Sequence, residues 1–325
     1  MKSRHESPPV QVEIANVPKG EKEAIFRNSK NHSPIQQHYE HRRWPYLLSL
    51  PFMHILTLYV IAKKKIFNIF GFPGPGINTL WFDGLGLECR KVKEYATTWK
   101  AMHIIYNHPF PKRLTIRGLI DEFYWNAMNC PALRNRQKLI KQELRSAISQ
   151  INDDGGDIRI VSLACGSGEV PIEIIAEYKE KGKTVKALFV DIDAEALERA
   201  GTLARHYGVD NQIDLCNMSA HNVSEICREF QPHIIEMLGL FDYLDQDEAI
   251  VLTGKIRESI DTNSFFFTSN ISPNVEQHFL KWVINWPRVY RNPGDIADIA
   301  LKSGFRDYRI IYEPLMIHGL LIAQK

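Results

Sequence analysis

Two rhythms of hydrophobic and polar residues divide the chain. In the second half, short apolar runs alternate with amphipathic stretches. IRIVSLA (158–164), ALFVDID (187–193), QIDLCNM (212–218), HIIEMLGL (233–240) and SFFFTSNI (264–271) have the length and content of buried strands. Between them, VPIEIIAEYKEKG, AEALERAGTLARHYG and QDEAIVLTGKIRESI space their apolar residues as helices do. Pro171 is tolerated in a first turn and Asp193 stands where a cap is needed. This alternation predicts an α/β fold, a parallel doubly wound sheet with helices on both faces. DYRIIYE and MIHGLLIAQK follow too closely for a crossover helix and predict an antiparallel hairpin at the sheet edge.

Residues before 151 lack that alternation. Apolar helical patterns there are separated by the turn-rich stretches GFPGPG (71–76) and NHPFPKR (107–113), which predicts five to seven short helices. NDDGGD (152–157) marks the boundary. The chain therefore divides into a flexible N-terminus (1–30), a helical lid or substrate domain (31–150) and the α/β domain (151–325). The polar N-terminus lacks the apolar core of a signal peptide, and its first twenty or so residues are expected to be mobile. The apolar run Leu47–Ala62 is short for a membrane span and contains Ser49, Pro51, His54 and Thr57. It reads as a helix buried in the helical domain; a membrane-surface helix is the alternative.

Composition narrows the function. Across 325 residues, 40 Lys+Arg oppose 38 Asp+Glu, so no basic excess argues for nucleic acid as a partner. The five cysteines are scattered without CxxC pairs, which fits a reduced, cytoplasmic protein without structural metal. His32, His38, His41 and His54 cluster near the front, but no acid or cysteine pattern accompanies them, and a solvated helix face explains them.

In a parallel sheet, ligands bind beyond the carboxyl ends of the strands. The first strand ends in Ala164-Cys165-Gly166-Ser167-Gly168 and the second in Asp191, an acid placed to accept both hydroxyls of a ribose. GSGEVP departs from the dinucleotide fingerprint at Pro171, and no P-loop occurs. IRIVSLACGSGEVPIEII followed by LFVDIDAEALERA resembles motifs I and II of class I S-adenosylmethionine-dependent methyltransferases. EMLGLFDYLDQDEAIVL, TSNISPNVEQHFLKWVINWPRVYR and CPALRNRQKLIK are similar, more narrowly, to a bacterial methyltransferase family with a helical N-terminal region. The resemblance implies a Rossmann-like seven-stranded sheet behind a helical lid, with S-adenosylmethionine as cofactor. Two departures stand out: Ser162 where that superfamily usually has an acid, and Ala164 where it has a first glycine.

Carried over by position, Ala164, Cys165, Gly166, Ser167 and Gly168 would line the methionine and ribose, Asp191 would bind the ribose and Ile192 pack on the adenine. Asn217 and Met218 would meet the adenine, and Leu238 and Gly239 would lie under the sulfonium. Tyr243 and Asn270 are acceptor-side candidates, each with packing or turn formation as its plainer explanation. In FYWNAMNCPALRNR, a lid placed before the first strand would bring Tyr124 and Asn126 to the methionine portion and Arg134 or Arg136 to its carboxylate; a packed helical face is the alternative. Trp282 and Trp286 read as packing residues. The leading reading is an enzyme that methylates a small molecule. The runner-up is a methyltransferase-like cyclase, similar in layout to azetidine-2-carboxylate synthases, that closes S-adenosylmethionine on itself and releases methylthioadenosine. A binding module without turnover is disfavoured by the intact glycine turn and Asp191.

Overall fold

A computed structural model describes residues 12–14, 39–41, 44–107, 115–127, 129–151 and 157–325. In chain order they form β1 (Val12–Ile14), α1 (Trp44–Ile69), a π-helical turn (Leu80–Leu85), α2 (Leu87–Glu94), α3 (Trp99–Tyr106), α4 (Ile116–Trp125) and α5 (Asn129–Gln150). The α/β part follows as β2 (Ile158–Leu163), α6 (Glu169–Glu180), β3 (Val185–Asp191), α7 (Ala194–His206), β4 (Ile213–Asn217), α8 (Val223–Phe230) and β5 (Ile234–Leu238). It closes with α9 (Gln246–Ser259), β6 (Phe265–Ile271), α10 (Gln277–Trp282), α11 (Pro293–Lys302), β7 (Asp307–Tyr312) and β8 (His318–Gln324).

The sheet runs β1-β7-β8-β6-β5-β2-β3-β4, with β8 antiparallel to both its neighbours. Seven of these strands have the Rossmann-like methyltransferase order, and the closing hairpin forms as its spacing requires. Side chains alternate between two cores. Ile158, Ile160, Ala187, Phe189 and Phe267 pack under α5, α6 and α7, whereas Val161, Leu163, Val190, Met237 and Phe266 pack under α8, α9 and α11. Coverage on both faces explains why these strands read as continuous apolar runs. Asp193 caps α7 by accepting from the Glu195 N–H at 2.9 Å, so the helix begins where β3 ends.

Three features differ from the sequence reading. β1 lies inside the segment expected to be mobile and pairs parallel to β7, Val12 opposite Ile310. The hairpin leaves β7 with unpaired backbone groups, and a short strand satisfies them; the rest of residues 1–38 lies outside the described residues. Second, α1 and α5 are long, at 26 and 22 residues. Third, FYWNAMNCPALRNR is split: α4 ends at Trp125, and α5 begins at Asn129 with Pro131 in its first turn, where a proline costs no hydrogen bond. The front helices share a buried cluster with α10 and the loop after it, in which Phe82, Trp125 and Leu133 join Phe279, Leu280 and Trp286. α5 packs along α6 and β8, with Lys141–Glu173 at 2.5 Å and Arg145–Glu177 at 2.8 Å along the α6 seam.

Candidate active site

The ends of β2, β3 and β5 open into one cavity of about 390 Å³. Its floor is the turn from β2 to α6, where Ala164 (φ 50°), Gly166 (φ 55°) and Gly168 (φ 63°) adopt left-handed backbone. Three such residues in five fold the chain back sharply. A side chain on Gly168 would drive into the Phe189 ring, and a Cβ on Gly166 would come within 3.0 Å of the Trp99 Cβ. Ala164 holds the same left-handed conformation without glycine's freedom, at a cost of roughly 1 kcal/mol.

Asp191, at the end of β3, ties the next strand end to this turn. Its Oδ2 accepts from the Gly166 N–H at 2.8 Å and its Oδ1 from the Asp193 N–H at 2.9 Å. A carboxylate has about four lone-pair sites, so each oxygen retains one for an incoming hydroxyl. Ile192 beside it is 77% exposed, an apolar surface at the cavity lip.

Helix α3 roofs the cavity. Thr97, Thr98, Trp99, Met102 and Tyr106 line it from above. Trp99 Nε1 donates to Asp193 Oδ2 at 3.0 Å, the His103 ring bonds Glu169 in the first turn of α6, and Asn107 Nδ2 donates to the same carboxylate at 3.1 Å. The roof is thus fastened to both flanking strand–helix junctions.

The inner end is charged. Ser162 and Glu236 are cross-strand partners on β2 and β5, and the Ser162 hydroxyl donates to the Glu236 carboxylate. Glu236 is 3% exposed; burial pushes its carboxyl up to about 7, against the lowering effects of the Ser162 bond and the Arg136 charge. Arg136 is 4% exposed and donates to Tyr106 OH at 2.7 Å and Ser269 Oγ at 3.2 Å. Its Nε is buried without a partner among the described residues. Arg288 stacks on Trp286, 4.0 Å from guanidinium to ring centre, and its buried Nε and Nη1 also have no partner there. Trp286 Nε1 donates to Tyr243 OH at 2.7 Å, setting two aromatic rings beside these cations.

Behind the wall, buried Arg291 donates to the Phe241 and Leu244 carbonyls, each at 2.7 Å, and to Asn270 Oδ1 at 2.5 Å. Asp242 accepts from Asn270 Nδ2 at 3.0 Å and the Ile271 N–H at 2.9 Å. This network fixes the turn after β5 that carries Gly239 and Tyr243 into the cavity.

Comparison with known proteins adds the family. The model of the family described as "Putative methyltransferase" matches residues 97–268, more than half of the chain. The chain belongs to this methyltransferase family. No curated protein matches its sequence. Among solved structures, a possible exported protein from Bordetella parapertussis is similar over 86% of this chain and 96% of its own, at 16% identity and a TM-score of 0.62. The magnesium protoporphyrin IX methyltransferase ChlM from Synechocystis PCC 6803, with bound SAH, covers 73% of this chain and 99% of its own at 12% identity, TM-score 0.51. At these identities the likeness is one of fold.

In the methyltransferase, Ala164, Cys165, Gly166, Ser167, Gly168, Asp191, Ile192, Leu238, Gly239, Arg136 and Tyr243 come together around the cavity. Asn217 and Met218 lie just outside its lining, both donating to the Asp191 carbonyl, at 3.0 and 3.1 Å. Four candidates fall elsewhere. Tyr124 is buried in the front-helix core, and Asn126 caps α4, its side chain donating to the Glu122 carbonyl at 2.7 Å. Arg134 forks onto Glu40, both bonds at 2.7 Å, and Asn270 belongs to the Arg291–Asp242 network. Tyr124 and Asn126 thus belong to the buried face and the C-cap of α4, and Arg134, on α5, is spent on Glu40. Of the histidines, His32 and His38 lie outside the described residues, and His41 and His54 are exposed. The described residues hold no cluster of three or more His, Cys, Asp or Glu side chains suited to a metal ion.

Sequence reading missed Trp99, Met102, Tyr106, Glu236 and Arg288, and gave Trp286 packing alone. Glu236 had a signal: an acid inside the apolar run HIIEMLGL is expensive to bury without a purpose. The α3 residues had none, because their place over the turn is a tertiary fact.

Proposed function

We propose that this methyltransferase binds S-adenosylmethionine in the cavity and transfers its methyl group to a small-molecule acceptor that carries a negative charge. One observation carries the reading: a buried carboxylate, Glu236, and a buried guanidinium, Arg136, line the same cavity as the Ala164–Gly168 turn and Asp191. Those are the complements of an ammonium, a carboxylate, a close-packed chain and a ribose. Glu236 stands one strand over from Ser162, where the superfamily's usual acid is missing, and supplies that charge from β5.

Bound S-adenosylmethionine supplies an electrophilic methyl group on a sulfonium. Asp191 holds the ribose hydroxyls, Ile192 covers the adenine, Glu236 takes the ammonium and Arg136 the carboxylate of the amino-acid end. Tyr243 and Trp286 offer electron-rich faces to a cation. Trp99, Met102 and Tyr106 exclude water from above, which strengthens the charge contacts below. The unpartnered nitrogens of Arg288, beside Trp286, suit a carboxylate on a planar acceptor. Positioning two reactants in a dry site is the main contribution such a transfer needs.

The test is incubation of the purified protein with S-adenosylmethionine alone and then with a panel of small aromatic acids and their amides, followed by mass spectrometry. Methylated acids, with S-adenosylhomocysteine formed only when an acceptor is present, are expected. Methylthioadenosine with a cyclic amino acid from S-adenosylmethionine alone would overturn methyl transfer in favour of ring closure. Methylated amides without methylated acids would overturn the charged acceptor.

A further inference from the structure

Helix α1 is not the buried core helix its apolar sequence suggested. One stripe, Tyr46, Met53, Thr57 and Val60, packs into the front-helix core and against α10, and Lys64 Nζ fastens the far end through the Trp282 carbonyl at 2.7 Å and Asn285 Oδ1 at 2.6 Å. The opposite stripe should be polar in a helix that faces water. It is Leu48, Phe52, Ile55, Tyr59, Ile66 and Ile69, at intervals of three, four and seven, with Leu48 72% and Ile69 79% exposed. This face runs about 30 Å at 1.5 Å per residue. Past the helix end it continues into exposed Phe70 and Phe72, whose ring centres lie 6.4 Å apart. An apolar surface this extended on a folded chain marks an interaction site.

Charge identifies the occupant. Residues 41–82 contain no Asp or Glu, but they hold Arg42, Arg43, Lys63, Lys64 and Lys65. That stretch carries five positive charges and no negative one, so the segment with the bare apolar face is locally cationic in a chain that is otherwise 35 Lys+Arg against 38 Asp+Glu. We infer that α1 and the aromatic turn after it rest on an anionic lipid surface, with the apolar stripe in the acyl boundary and Lys63 and exposed Lys65 among the headgroups, while Lys64 holds the helix to the protein. The helix is long and apolar enough to cross a membrane, 24 residues from Tyr46 to Ile69. Its second stripe, however, is committed to a core shared with α10 and the front helices that roof the cavity, which places α1 along a bilayer surface rather than through it. This proposal rests on the surface alone and is independent of the acceptor.

The experiment is vesicle flotation of the full chain, at low and high salt, with phosphatidylcholine vesicles and with vesicles of phosphatidylcholine and phosphatidylglycerol. The wild type is expected to float with the anionic vesicles, less at high salt and less with phosphatidylcholine alone. The double variant Ile55→Glu/Ile66→Glu, altered only at exposed positions, should lose binding roughly tenfold or more. Its thermal melting and its affinity for S-adenosylhomocysteine should be unchanged. Failure of the wild type to float on anionic vesicles, or equal flotation of the double variant, would overturn the proposal. So would a dimer in sedimentation velocity that the same two substitutions dissociate, because the face would then belong to a second copy.

Discussion

Gly166→Val should abolish cofactor binding, with S-adenosylhomocysteine affinity falling roughly a hundredfold or more. Two independent penalties act at this position. The backbone is left-handed, φ 55°, where a β-branched residue is a steric outlier at about 1–2 kcal/mol. The new Cβ would also meet the Trp99 Cβ at 3.0 Å, and two further methyl groups must go either into the α3 roof or into the cavity. Rejecting the roof breaks the Trp99–Asp193 tie; filling the cavity takes the space of the amino-acid chain. A hundredfold loss is about 2.8 kcal/mol and comes from the filled cavity, while the backbone strain lowers the variant's stability in the free and bound states alike. Calorimetric titration, with circular dichroism as a check on folding, reads the result. Near-normal affinity would reduce the glycine turn to a plain strand–helix connection.

The second large effect belongs to Glu236. Its buried carboxyl is pushed up to about 7, yet it must be ionised to hold an ammonium. S-adenosylhomocysteine affinity should therefore weaken about tenfold from about pH 8 to about pH 6, as the ionised fraction falls from roughly nine-tenths to one-tenth. Glu236→Gln should remove that dependence and bind weakly throughout. Stability should move the other way. A carboxyl raised from 4.5 to about 7 binds a proton in the folded state across a range where the unfolded chain does not. Wild-type stability from this group therefore falls as pH rises through that window and levels off above it. Without ligand, the glutamine variant should gain on the wild type over the same window, by on the order of 3 kcal/mol. Thermal melts at acid and alkaline pH measure the gap. A pH-independent affinity in the wild type would remove Glu236 from the ammonium site.

The α/β half was legible because its strands are covered on both faces and its glycine turn sits at a strand end, so local pattern and global fold agree. Asp191 followed for the same reason, since its place depends only on where β3 stops. The front half was less legible. Periodicity finds a helix but not which neighbour it meets, and α3, an eight-residue helix with no distinctive motif, carries no sign in sequence that it covers the glycine turn, whereas the FYWN stretch has aromatic residues without that position. Tyr124 and Arg134 instead serve the packing of α4 and α5. Helix α1 misled for a related reason: two apolar stripes look like a buried helix in sequence, and only the packing reveals that one stripe is left uncovered by the described residues.

The most direct measurement on the central claim is calorimetric titration of the purified protein with S-adenosylhomocysteine, repeated on Asp191→Ala. The Asp191 oxygens each keep a lone pair free after bonding Gly166 and Asp193, and losing a charged acceptor of two hydroxyls costs about 1.5–3 kcal/mol. One-to-one binding by the wild type and at least a tenfold loss in the variant are expected. No binding by the wild type, or the same affinity in both proteins, would contradict a cofactor site in this cavity.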